Sequence, residues 1–221
     1  MSRTRRAFER REPVRDSTLL VIATEGTATE PRYFRTLSGP DYYRSSRVRV
    51  LVIPAEDNMS APDHVLERLR QHADRIGLME DDQAFLVLDY DRWGSPKLAE
   101  VARAGVQRNF ELIVSNPCFE LWLFLHVSDP YDWSEEYVQQ LLGNHRSGKH
   151  RRFIDDELKA LIPASGKKNV SDPRFYERTS VEQAINRAML LDTNPDERWC
   201  ERLCTRVYRV VKPILDYSER L

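Results

Sequence analysis

The segment QAFLVLDYDRWG, residues 83 to 94, is an apolar run that ends in two carboxylates one residue apart, Asp89 and Asp91. Side chains along a strand alternate faces, so both acids emerge on one side and Tyr90 on the other. Two like charges held that close raise one another's pKa and weaken the fold unless a cation or a basic partner sits between them. Solvated turn residues at the end of a strand would look the same, so a third acid decides. Glu25 supplies it: TLLVIAT, residues 18 to 24, is a short apolar run followed at once by Glu25 and Gly26. Hard divalent cations such as Mg²⁺ bind carboxylate oxygens and water, commonly through one or two protein carboxylates plus substrate phosphates. Three carboxylates at strand ends therefore point to phosphoryl chemistry.

The elements that must position these acids follow from periodicity. Strands are predicted at 18–24, 47–53, in the run ending at Asp91, and at 110–115, separated by helices at 28–37, 60–77 and 95–105. Ser60 and Asp63 have capping-box spacing, and Ser95 and Pro96 read as a helix start. The alternation predicts an α/β fold: a Rossmann-like, mostly parallel four-stranded sheet flanked by helices. In such sheets ligands sit at the carboxyl ends of the strands, where Glu25, Asp89 and Asp91 lie. After residue 116 the strand signal disappears. Asn116 and Pro117 read as the cap and first position of a helix burying Phe119 and Leu121 to Leu123, and further helices are predicted at 134–142, 151–161, 174–192 and 196–217, the last capped by Asn194 and Pro195. The predicted organisation is a basic arm over 1–16, an α/β domain over 17–130 and a helical region over 131–221.

The chain of 221 residues is 41% hydrophobic, ample for a core, and 31% charged with a formal net charge of −1, so bulk charge says nothing about nucleic acid. Its distribution says more. Residues 1–15 and the stretch NHRSGKHRR (144–152) are locally basic, and Arg146, Lys149, Arg151 and Arg152, with Lys167 and Lys168, fit a phosphate-contacting patch as well as a solvated loop. GNHRSGKH nearly matches a phosphate loop, but His150 stands where a metal-binding hydroxyl is required, which argues against nucleotide hydrolysis. Cys200 and Cys204 lack partners at zinc spacing and read as reduced thiols. His126 reads as a satisfied core or surface residue, and His64 and His72 as solvated. Trp93 could stack on a base, although filling the sheet edge is the plainer role. No segment approaches the ~20 apolar residues of a membrane span, so a cytoplasmic protein is expected.

Glu25 ending the first strand and DxDxxG after the third, as Asp89-Tyr90-Asp91-Arg92-Trp93-Gly94, resemble the Toprim domain of topoisomerases, primases and related nucleases. The blocks ATEGTATEPRYF, FLVLDYDRWG and SNPCFELWLFLH, in that order, more closely resemble the RloB family, Toprim-related proteins of bacterial restriction and anti-phage loci. The resemblance covers about residues 17 to 215. It departs at Thr24, where such sequences usually carry cysteine or a similar small residue, and this leaves the acid intact. It implies Mg²⁺- or Mn²⁺-dependent cleavage of a nucleic-acid phosphodiester, DNA or RNA including tRNA, with Asp89 and Asp91 holding metal and Glu25 as general base or second-metal ligand. Glu30 and Glu120 are ligands of second rank; an exposed helix acid and a first-turn acid favoured by the helix dipole are the plainer readings. The resemblance also implies a partner ABC-type or AAA-type ATPase encoded nearby, and a homo-oligomer is compatible with it. A non-catalytic metal-binding sensor or adaptor for that ATPase is the rival reading. The intact three acids favour the enzyme.

Overall fold

The structure, a computed structural model, describes residues 17–55, 59–146, 152–163 and 170–218. The basic arm and, from the proposed patch, Lys149, Arg151, Lys167 and Lys168 lie outside the described residues.

Four parallel strands carry the sheet: β1 (Thr18–Thr24), β2 (Val48–Ile53), β3 (Gln83–Asp89) and β4 (Phe110–Asn116). The β-branched and aromatic runs of β1, β3 and β4 are buried on both faces, as parallel strands require, while β2 is only part-buried. The sheet has five strands rather than the expected four, in the order β2-β1-β3-β4-β5. The added β5 (Cys204–Thr205) runs antiparallel to β4 at Ser115 and Asn116. Two residues are too few to leave a periodic signal.

Helices α1 (Thr29–Leu37), α2 (Pro62–Ile76) and α3 (Gly94–Val106) connect the first four strands. One layer of core joins Leu20, Ile22 and Phe85 to Tyr33 and Phe34 of α1 and to later helices, including Trp122 and Val211. The opposite layer joins Val21, Leu86 and Val114 to Leu69 of α2 and Leu98 and Val101 of α3. Burial here contributes roughly 25 cal/mol per Å² of apolar surface.

Several local expectations are corrected. The N-cap of α2 is Ala61, with no side-chain cap bond, so Ser60 and Asp63 do not close a capping box. Trp93 is the N-cap of α3, so Ser95 and Pro96 lie inside it. Asn116 does not cap a helix. It is the last residue of β4, joined to Pro117 by a cis peptide, and its side-chain amide donates to the Cys200 carbonyl at 3.2 Å. Helix α4 is correspondingly short, Glu120–Phe124.

Helices α5 (Glu135–Gly143), α6 (Phe153–Leu161) and α7 (Arg178–Leu191) fall near their expected places. The predicted helix over 196–217 does not form as one element; it is a loop, β5 and then α8 (Tyr208–Asp216). The reason is Arg206, which is buried and donates to both Asp192 oxygens at 3.0 Å and to the Asn194 carbonyl at 2.9 Å. A helix through residue 206 would not bring the guanidinium to these partners and Trp199 into the second core at once. The Asn194 carbonyl accepts from Arg206, and its amide donates to Glu197 at 2.7 Å, so Asn194 and Pro195 form a turn. Cys200 and Cys204 are joined by a disulfide instead of being separate thiols, while Cys118 is a buried free thiol.

Candidate metal centre

Glu25 is the first residue past β1 and Asp89 the last of β3; these strands are direct neighbours. The parallel register therefore delivers both acids to one end of the sheet. Glu25 is 2% exposed, and its Oε2 accepts from the Asp89 backbone N–H at 3.0 Å. Its Oε1 accepts from Arg92 Nη1 at 3.0 Å. Asp89 Oδ1 accepts from the Phe119 N–H at 2.8 Å. The loop after β3 is stitched to the turn after β4, with Tyr90 N–H donating to the Ser115 carbonyl at 2.9 Å and Asp91 N–H to that of Pro117 at 3.1 Å. Gly94 takes a φ of 65°, the left-handed conformation that favours glycine, as the loop turns into α3.

Glu30, from the first turn of α1, is buried rather than exposed. Its Oε1 accepts from the Gly26 N–H at 3.0 Å, and a Cβ on Gly26 would overlap that carboxylate. The glycine after Glu25 is thus what lets the second glutamate close in. Burial pushes the Glu30 carboxyl up to about 7, reinforced by the charges of Glu120 and Glu25. Burial also lifts Asp89 well above the usual carboxylate range, with Glu25, Glu120, Glu30 and Asp91 adding repulsion. Glu25 is raised by burial against the lowering pull of the Asp89 N–H and Arg92. All five expected acids therefore sense one another.

Two guanidinium groups meet this negative charge from the rim. Arg92 reaches Glu25 with its guanidinium 5.5 Å from the Trp93 ring centroid, so Trp93 backs an arginine. Arg152, immediately before α6, ion-pairs with Asp91. Of the expected phosphate-contacting patch, Arg146 and Arg152 are among the described residues; Arg146 is exposed and Arg152 meets a carboxylate. Arg92 lies inside DxDxxG but was not singled out from sequence; a basic residue next to paired acids is the signal that could have found it.

A part-buried all-oxygen cluster, with carboxyls raised by desolvation and mutual repulsion, is what a divalent cation would relieve, so these residues fit Mg²⁺ or Mn²⁺. The five acids are gathered but not drawn tight. Among the described residues, the group of three ligating side chains whose ligand atoms all lie within 4.8 Å is Asp192, Cys200 and Cys204. That group is committed otherwise, since Asp192 is held by Arg206 and Tyr208 and the cysteines by each other. Looser spacing suits Mg²⁺, which keeps several waters and takes only one or two carboxylates. His126 is buried and bonded, its Nδ1 2.9 Å from the Trp122 carbonyl and its Nε2 3.4 Å from the Tyr33 hydroxyl, in keeping with a satisfied core histidine. His64 and His72 are partly buried rather than fully solvated.

An α/β protein with a carboxylate cluster across the ends of two central parallel strands is the class these features define. The family model described as RloB-like protein matches residues 20–214, and the chain belongs to the RloB family. No curated protein and no solved structure matches it. No helix among the described residues is long and apolar enough to cross a membrane.

Proposed function

We propose that this protein is a Toprim-type, metal-dependent endonuclease that cleaves DNA or RNA phosphodiesters in anti-phage defence, under the control of a partner ATPase. The observation that carries the reading is the convergence of Glu25, Glu30, Asp89, Asp91 and Glu120, from three separate stretches of chain, in a partly desolvated cluster. Such a cluster costs stability unless it serves a cation. Asp89 and Asp91 would hold the metal, with Glu30 and Glu120 as further oxygen donors. Bound there, the metal would polarise a phosphoryl oxygen and lower the pKa of attacking water. Glu25, held by the Asp89 N–H and Arg92, would take a proton from that water. Arg92 and Arg152 neutralise the acids at rest and are positioned to meet phosphate oxygens once a cation takes over that role.

The test is incubation of the protein, alone and with its neighbouring ATPase, with plasmid, single-stranded DNA and total RNA in Mg²⁺ or Mn²⁺, beside Glu25→Ala and Asp89→Ala. Cleavage abolished by chelator and by both substitutions supports the enzyme and names its substrate. Metal binding without cleavage of any substrate would favour the sensor or adaptor role.

A further inference from the structure

Among the described residues β2 is the outermost strand, paired only with β1, and its outer edge carries a feature that the acid cluster does not use. Residues 31–53 hold five arginines, Arg32, Arg35, Arg44, Arg47 and Arg49, against a single acid, Asp41, in a chain whose overall charge is −1. All five are exposed. Arg44, Arg47 and Arg49 have no ion-pair partner among the described residues. Arg44 and Arg49 line a cavity of about 330 Å³ with Ser17, Ser38, Ser45 and Ser46, and no acid is among the described residues of its walls.

This cavity lies at the start of β2. Near the strand's other end, Arg35 Nη2 donates to the Val52 carbonyl at 3.3 Å. The next carbonyl, that of Ile53, lies 3.5 Å from the hydroxyl of Thr24, the residue before Glu25. Arginines thus stand at both ends of a track along the six residues of β2, Arg44, Arg47 and Arg49 at the cavity end and Arg35 at the end nearer the carboxylate cluster. At ~3.3 Å per residue that track is about 20 Å long, roughly six nucleotide steps at the ~3.4 Å axial spacing of one B-DNA strand. Charges on an edge strand also deter edge-to-edge aggregation. That role does not account for Arg44 and Arg47, which precede the strand, or for a hydroxyl-lined cavity between guanidinium groups.

We propose that the β2 edge binds the phosphate backbone of nucleic acid and leads it to the carboxylate cluster; the destination, though not the binding, rests on the nuclease reading. Guanidinium groups and serine hydroxyls donate to phosphate oxygens without reading sequence, so the contact is sequence-independent.

The experiment is fluorescence anisotropy with labelled single-stranded DNA, single-stranded RNA and duplex DNA, in chelator so that no cleavage intervenes, across a range of salt concentrations. Arg44→Ala/Arg47→Ala/Arg49→Ala is compared with wild type, with a Lys triple variant, and with Arg75→Ala/Arg103→Ala on α2 and α3 as a control. Three lost phosphate contacts reduce the slope of log affinity against log salt by about 2 for single strands and about 3 for duplex. The Lys triple and the control keep the wild-type slope. Binding by wild type with an unchanged slope in the Ala triple overturns the strip and leaves the nuclease reading standing. No binding of any nucleic acid by wild type overturns both. Binding to vesicles of anionic lipid but not to nucleic acid, lost in the Ala triple, reassigns the edge to a membrane surface and overturns the proposal.

Discussion

Arg152 and Asp91, 61 residues apart in sequence, form an ion pair across the mouth of the acid cluster. The helical C-terminal part thereby supplies a counterion to acids mounted on the sheet, and Arg92 does the same for Glu25 from within the loop after β3. At rest, two guanidinium groups sit on carboxylates that a divalent cation would also use.

Removing that competition should tighten metal binding. Arg152→Ala is expected to raise Mg²⁺ or Mn²⁺ affinity by up to about fivefold, since an ion pair with exposed partners contributes about 1 kcal/mol or less. Isothermal titration calorimetry against wild type checks this, and weaker binding in the variant would contradict the role.

A buried carboxylate kept for a cation should be a liability without one. In chelated buffer at pH 8, above its raised pKa of about 7, ionised Glu30 is expected to cost stability, and Glu30→Gln should gain about 1–3 kcal/mol. For wild type, metal at 100 times its Kd should add about 2.7 kcal/mol, and the variant should lose much of that gain. Urea denaturation with and without metal reads both effects, whose opposite signs separate a metal ligand from a structural acid.

His126 predicts an acid limb. Burial pushes its pKa down to about 4, below the ~6.5 of the unfolded chain, with the Arg187 charge adding to the shift. The unfolded state therefore protonates first. Its stabilising effect is complete above about pH 6.5 and is lost as pH falls towards 4, by about 3 kcal/mol in total. His126→Gln should remove that part of the dependence. Because Glu30 titrates with the opposite sign across part of this window, the measured quantity is the difference between variant and wild type in urea midpoints from pH 7.5 to 4.5.

The Asp192–Arg206 pair has side chains 2% and 1% exposed. Arg206→Ala leaves Asp192 buried without its main counterion and is expected to cost about 3–5 kcal/mol, enough to threaten folding. The companion variant Asp192→Asn/Arg206→Met should recover much of the loss in chemical denaturation, because it removes both charges together.

The parallel sheet was legible because each strand is a continuous apolar run, and the acids because they end those runs. Glu25, Asp89 and Asp91 could be placed from strand order alone. Glu30 and Glu120 needed the tertiary fold: nothing local in TEPRYF says that its glutamate turns inward onto Gly26. The segment 194–206 was misread for a related reason. Its course is dictated by Arg206 finding Asp192 and by Trp199 reaching the second core, contacts that leave no periodicity. The arginines on β2 were visible as letters, but they form a strip only once β2 is known to be an edge.

Gly26 has a further consequence. The contact between its N–H and Glu30 means that the turn after β1, the start of α1 and the acid-bearing end of the sheet are shaped by one another. Asp89 is likewise held by Phe119, and Asp91 meets Arg152. A chain still emerging from the ribosome carries Glu25, Glu30, Asp89 and Asp91 long before it has the partners that fix them. Assembly of the carboxylate cluster is therefore tied to completed folding, so a nascent or partly unfolded copy holds the acids without the site.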